Sequence, residues 1–143
     1  MMETTKNIDL SIVVSVYNEA AGLSSFWNEL KNEGSRMNQS VEVIFVNDGS
    51  TDQSALKLEG IQKDETGPQV RIIEFSRNFG HEAAMIAGID ESFGNRVICI
   101  DADLQHPPSV IGSLISEANA GADIVLAERK SRADNGFLKN AMS

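Results

Sequence analysis

The chain has 143 residues, enough for one domain with a core of its own. Its 12 Lys and Arg against 21 Asp and Glu leave a formal net charge of −9, which excludes the broad basic field that nucleic-acid binding requires. Any phosphate ligand must instead be bound locally, with a metal ion as the natural helper. The single cysteine, Cys99, rules out an internal disulfide and suits a reducing compartment. The opening MMETTKNID lacks a signal peptide's apolar stretch, and no window approaches the roughly 18 apolar residues of a membrane span. The chain by itself is expected to be cytoplasmic.

In chain order, the first apolar run is LSIVVSVY, from Leu10 to Tyr17. Its β-branched residues predict a strand, covered on both faces because almost every position is apolar. Asn18 is competent to cap a helix reaching about Lys31, with Gly34 beyond its end. A second strand is predicted at Val41–Asn47, and Ser50 and Gln53 have capping-box spacing ahead of Ala55 and Leu56. A third strand at Val70–Phe75 leads to a helix over His81–Phe93, where Ala83, Ala84 and Ala87 allow close approach to a sheet. A fourth strand covers Arg96 to about Asp101. Pro107 and Pro108 fit the first turn of a helix through Ile111, Leu114 and Ile115, and a fifth strand is predicted at Asp123–Ala127.

This βα alternation predicts a single α/β domain over residues 1–143, with three α/β/α layers around a mostly parallel sheet. In such sheets ligands sit beyond the carboxyl ends of the strands, where the strand order reverses. The residues leaving strands one, two and four there are Tyr17-Asn18-Glu19, Asn47-Asp48-Gly49-Ser50 and Asp101-Ala102-Asp103. Four carboxylates are therefore expected in one crevice.

The strongest chemical signal is Asp101-Ala102-Asp103-Leu104-Gln105. In extended backbone, residues two apart share a side, so Asp101, Asp103 and Gln105 can present oxygens together. Those are donors for a hard ion, Mg²⁺ or Mn²⁺; alternatively one carboxylate holds a ribose hydroxyl while the other binds metal. Asp48 can accept a nucleobase N–H, with Gly49 permitting a tight turn, although Ser50, Thr51 and Asp52 are also ordinary helix starters. Glu19 can bind ribose hydroxyls and Tyr17 can flank a base, while the helix dipole alone would also explain a Glu there. His81 and His106 read as structural or surface residues. Cys99, Phe26 and Trp27 read as packing, and Arg77-Asn78 shape the crevice without an assigned role.

Together SIVVSVYNEA, VEVIFVNDGSTD, FSRNFGHEAAMIAGID and ICIDADLQHPP resemble family 2 glycosyltransferases of the GT-A fold, in order and spacing. The likeness runs from about Asp9 to the end, through GADIVLAERKSR, and is greatest to enzymes that load sugars onto polyprenyl phosphates, including dolichol-phosphate mannosyltransferase-like ones. It implies a Rossmann-like domain that binds a UDP- or GDP-sugar through Ser15, Val16, Tyr17, Glu19, Asp48, Asp101, Ala102, Asp103 and Arg129. It also implies Mg²⁺ or Mn²⁺ on Asp101, Asp103 and Gln105, with Arg132 assisting Arg129 at the phosphates or both forming a solvated basic patch. The implied reaction is inverting transfer, with a polyprenyl phosphate as acceptor at the cytoplasmic membrane face. Any general base and the acceptor-binding and membrane-associated parts would follow Ser143. Whether the chain forms a homo-oligomer is left open. A donor-binding or scaffold domain without turnover is the rival reading. A nucleotidyltransferase would need a Gly-rich basic loop in place of VYNEAAGL, and a dinucleotide-dependent oxidoreductase would need G-x-G-x-x-G.

Overall fold

The computed structural model describes residues 7–103, 109–121, 124–127 and 138–142. Strands β1 (Leu10–Val16), β2 (Val41–Asn47), β3 (Gln69–Glu74), β4 (Arg96–Asp101), β5 (Ile124–Ala127) and β6 (Leu138–Met142) form one sheet in the order β3-β2-β1-β4-β5-β6. Helices α1 (Leu23–Ser35), α2 (Ser54–Gln62), α3 (His81–Glu91) and α4 (Ser109–Asn119) connect the first five strands. Those five are parallel, as the alternation predicts; β6 alone is antiparallel, paired with β5 across an irregularity at Val125/Leu126.

The central strand explains the layering. Every residue of β1 is buried, and alternate side chains take opposite faces. Leu10, Ile12, Val14 and Val16 join Val43, Phe45, Ile98 and Ile100 in the larger cluster, closed by Leu23, Phe26, Trp27 and Leu30 of α1, Leu58 and Ile61 of α2, and Val110 and Leu114 of α4. Trp27 is packing, as expected: its ring meets Phe45 edge-on at 6.2 Å, and its indole N–H donates to Asp64 at 2.8 Å. On the other face Val13, Ile44, Val46, Val97 and Cys99 pack with Ala84 and Met85 of α3. The close helix–sheet approach falls at Gly88, where an added Cβ would lie 2.2 Å from Val13 Cγ1. Burial, reinforced by the Asp101 charge, pushes the Cys99 thiol up to about 12, so it is a neutral core group at physiological pH.

Two helix starts differ from the sequence expectation. Helix α1 begins at Leu23 rather than after Asn18 and runs through Gly34. Asn18 adopts a left-handed φ of 54°, a conformation that Asn tolerates better than most residues. Its own amide and the next two are already committed: Asn18 N–H donates to Ser50 Oγ at 2.9 Å, Glu19 N–H to Ser54 Oγ at 3.0 Å, and Ala20 N–H to Asp52 Oδ2 at 3.1 Å. In return Thr51 N–H donates to Asn18 Oδ1 at 2.8 Å. The Ser50 hydroxyl and the Asp52 carboxylate, which read as helix starters, therefore clamp the loop after β1 together with the Ser54 hydroxyl. Ser50 and Gln53 form no capping box; Gln53 is the N-cap of α2 without a side-chain bond. Pro107 and Pro108 lie outside the described residues, and α4 begins immediately after them at Ser109.

Candidate functional site

From β1 the strand order runs outward to β3 and then returns to β4 on the other side of β1, so the reversal falls at β1. The ladder continues one residue past the strand ends. Asp48 N–H donates to Val16 O at 2.8 Å, and Ala102 N–H to Ser15 O at 3.0 Å. This sets the ends of β2 and β4 against the end of β1. Beyond them opens a crevice of about 400 Å³. It is lined by Ser15, Val16, Tyr17 and Glu19 from the first strand and its loop, Asp48 from the second, and Asp101, Ala102 and Asp103 from the fourth. The four carboxylates expected from the sequence share this one opening. Gln105 and Arg129, with Arg132 and His106, lie outside the described residues.

Three further lining residues, Asn78, Gly80 and His81, come from the segment between β3 and α3. Asp48, only 3% exposed, organises that segment. Its Oδ1 accepts the Phe79 N–H at 2.7 Å; its Oδ2 accepts the Gly80 N–H and the Asn78 side-chain amide, each at 3.1 Å. A carboxylate offers about four lone-pair sites, so capacity for about one more donor remains. Phe79, half exposed, sits under the Arg77 guanidinium at 4.2 Å and meets Phe75 edge-on at 5.5 Å. Asn47 stays out of the crevice: its amide donates to Glu74 at 3.0 Å, while its oxygen accepts the Ser50 N–H at 3.3 Å.

His81 is exposed, as expected, and its ring also lines the crevice. Its Nδ1 lies 2.7 Å from Asp101 Oδ1, the same oxygen that accepts the Ser15 hydroxyl at 2.5 Å. The sequence signal for these residues was the RNFGH run, whose glycine, at φ 107°, turns the chain into α3.

Fold and site together define a doubly wound α/β domain with an acidic crevice at its topological switch point. Residues 11–143 match the model of the Glycosyl transferase family 2, and the chain belongs to that family. It is 41% identical over 135 residues to an uncharacterized glycosyltransferase, YkcC, of Bacillus subtilis, covering 94% of this chain and 41% of that protein. It is 39% identical over 130 residues to a prophage bactoprenol glucosyl transferase homolog of Escherichia coli, covering 91% of this chain and 42% of the relative. The chain thus spans about two fifths of the length of these relatives. A solved mannosyltransferase from Pyrobaculum calidifontis, in complex with GDP-Man and Mn²⁺, superposes with a TM-score of 0.70 at 18% identity. That superposition covers 91% of this chain and 38% of the other. The fold is the GT-A fold of glycosyltransferases. Among the described residues no helix is long and apolar enough to cross a membrane.

Proposed function

We propose that this chain is the donor-binding part of an inverting glycosyltransferase that takes a UDP- or GDP-sugar with Mg²⁺ or Mn²⁺ and passes the sugar to a polyprenyl phosphate. The observation that carries this reading is the convergence of Glu19, Asp48, Asp101 and Asp103 on one crevice, beside Ser15, Val16, Tyr17 and Ala102. Glu19 and Asp48 would engage the nucleoside, and Asp101 and Asp103, with Gln105, the metal and diphosphate. Arg129 would meet the phosphates. The likeness to a bactoprenol glucosyl transferase homolog supports the acceptor class.

The donor set suits a hard divalent ion, because carboxylate oxygens are the ligands such ions prefer. Among the described residues no group of three or more His, Cys, Asp or Glu could hold an ion by itself. Asp101 and Asp103 would therefore share it with diphosphate oxygens, as Mg²⁺ sites commonly do. Once bound, the ion supplies Lewis-acid stabilisation of the departing diphosphate. The protein's own contribution is to fix the donor, so that the acceptor attacks the anomeric carbon from the face opposite the leaving group. A phosphate acceptor is already anionic near neutral pH, and no residue of this chain is assigned as a general base.

In a chain of net charge −9, a bare diphosphate meets repulsion in this crevice. Calorimetry with UDP and GDP is expected to give at least about tenfold tighter binding in Mn²⁺ than in EDTA, a margin of about 1.4 kcal/mol. Asp103→Ala should remove that margin while His106→Ala keeps it. Equal affinity of the unaltered protein in both buffers would contradict the metal reading.

The acceptor is tested separately, by incubating radiolabelled nucleotide sugar with a short-chain polyprenyl phosphate and extracting lipid. A full-length protein containing this chain should label the lipid, while residues 1–143 alone should bind donor and turn over little. Placing two reactants correctly can be worth about 7–11 kcal/mol of barrier. Label appearing only in saccharide or protein would remove the polyprenyl assignment; rapid lipid labelling by the short chain would put an acceptor site within it.

A further inference from the structure

Two groups from two elements, β1 and α3, meet on one carboxylate oxygen of a third, β4, in the lining of the crevice. Ser15 Oγ of β1 reaches Asp101 Oδ1 at 2.5 Å, His81 Nδ1 of α3 reaches it at 2.7 Å, and the Ser15 and His81 atoms are 3.4 Å apart. The two oxygens of a free carboxylate are equivalent, and its terminal torsion is broad and nearly twofold. Two donors on Oδ1 end that equivalence and fix the plane of the group. Both Ser15 and His81 line the crevice with Asp101, so the constraint acts where a ligand would arrive. The Asp101 side chain is 20% exposed and the His81 side chain 46%.

We propose that His81 is a positioning residue: together with Ser15 it occupies Oδ1 of Asp101, leaving Oδ2 as the oxygen offered to the divalent cation that accompanies a nucleoside diphosphate. This deepens the donor-site reading and rests on it. Ser15 alone would hold the carboxylate through a hydroxyl that can rotate. The imidazole adds a rigid second donor, and it links the carboxylate to the first turn of α3, whose entry is fixed by the Asp48 bonds to residues 78–80. Outer partners that orient a metal ligand in this way commonly change metal affinity by about 10–100-fold when removed.

The test is a titration of Mn²⁺ at fixed UDP or GDP, read by the electron paramagnetic resonance signal of free Mn²⁺, on the unaltered protein, His81→Ala and His81→Asn. Thermal melts are run in parallel. His81→Ala should weaken the apparent Mn²⁺ affinity about 10–100-fold with a near-native melting temperature, since the side chain is half exposed. His81→Asn, which keeps a side-chain N–H donor, should recover to within about threefold, or about 0.7 kcal/mol. An unchanged affinity in His81→Ala would overturn the proposal and leave the donor-site reading intact. Asn as poor as Ala would overturn the hydrogen bond as the cause. Failure of the unaltered protein to bind Mn²⁺ with nucleotide would overturn both.

Discussion

Gly49→Ala is expected to cost about 2–5 kcal/mol of folding stability, the sum of about 1–2 for a left-handed backbone and about 1–3 for overpacking. Gly49 has φ +70°, and a Cβ there would lie 2.2 Å from the Arg77 carbonyl carbon and 2.4 Å from Asn78 N. Both are backbone atoms, so relief requires moving the chain at 77–78 rather than turning a side chain. That segment is what Asp48 holds through Phe79, Gly80 and Asn78. Displacing it strips donors from a carboxylate that is 3% exposed, a loss that burial makes expensive. Nucleotide binding should fall with stability, because Asn78, Gly80 and His81 line the crevice. Gly60→Ala is the control: the residue lies within α2, a Cβ there would meet nothing within 4 Å, and the variant should gain up to about 1 kcal/mol. Urea denaturation of the three proteins measures both effects. A Gly49→Ala protein within about 0.5 kcal/mol of the unaltered one, inside the usual scatter for a neutral surface change, would show that the 77–80 segment yields freely.

The parts of this fold that were legible in the sequence share one physical cause. Strands β1, β2 and β4 are buried on both faces, so LSIVVSV, VEVIFVN and RVICID are mostly apolar and rich in β-branched residues, with no helix period. Strand β6, LKNAM, has no β-branched residue and only an edge position beside β5, and its composition gives no strand signal. The site was legible because it follows from topology: carboxylates placed just after parallel strands converge. What the sequence hid is which polar group bonds to which. Asn18, Ser50 and Asp52 each read as a helix starter, yet their side chains tie the loops after β1 and β2 together, and Asp52 Oδ1 accepts the Ser54 N–H at the start of α2 as well. Local patterns favour capping, and a contact between residues more than thirty positions apart leaves no local pattern to read.

The same limit applies at the opposite end of the sheet, where Glu42→Ala is expected to cost about 3–5 kcal/mol, the usual loss when one partner of a buried ion pair is removed. Glu42 is 2% exposed in β2. Its Oε2 accepts the Ser11 hydroxyl at 2.6 Å and the Phe93 N–H at 2.8 Å; its Oε1 accepts the Arg71 guanidinium at 3.0 Å. Ser11 Oγ in turn accepts the Gly94 N–H at 2.8 Å. One carboxylate thus joins β1, β2, β3 and the turn after α3. Since Ser15 meets His81 at the other end of β1, α3 is tied to that strand near both of its ends. Glu42→Gln keeps the volume but turns one acceptor oxygen into a donor facing donors, so it should still cost about 1–3 kcal/mol. Burial pushes the Glu42 carboxyl up, but the Ser11, Phe93 and Arg71 bonds together more than offset it and hold the group below its ordinary 4.5. A folded-state value below the unfolded one means that the stabilisation is fully present above about pH 4.5 and is lost as pH falls through the folded-state value. The gap between the unaltered protein and Glu42→Gln should therefore be widest at neutral pH and narrow progressively on acidification below that point. Urea denaturation from neutral pH downward reads it directly. A gap that stays constant with pH would mean that the carboxylate's charge contributes nothing, and the network would then act through shape alone.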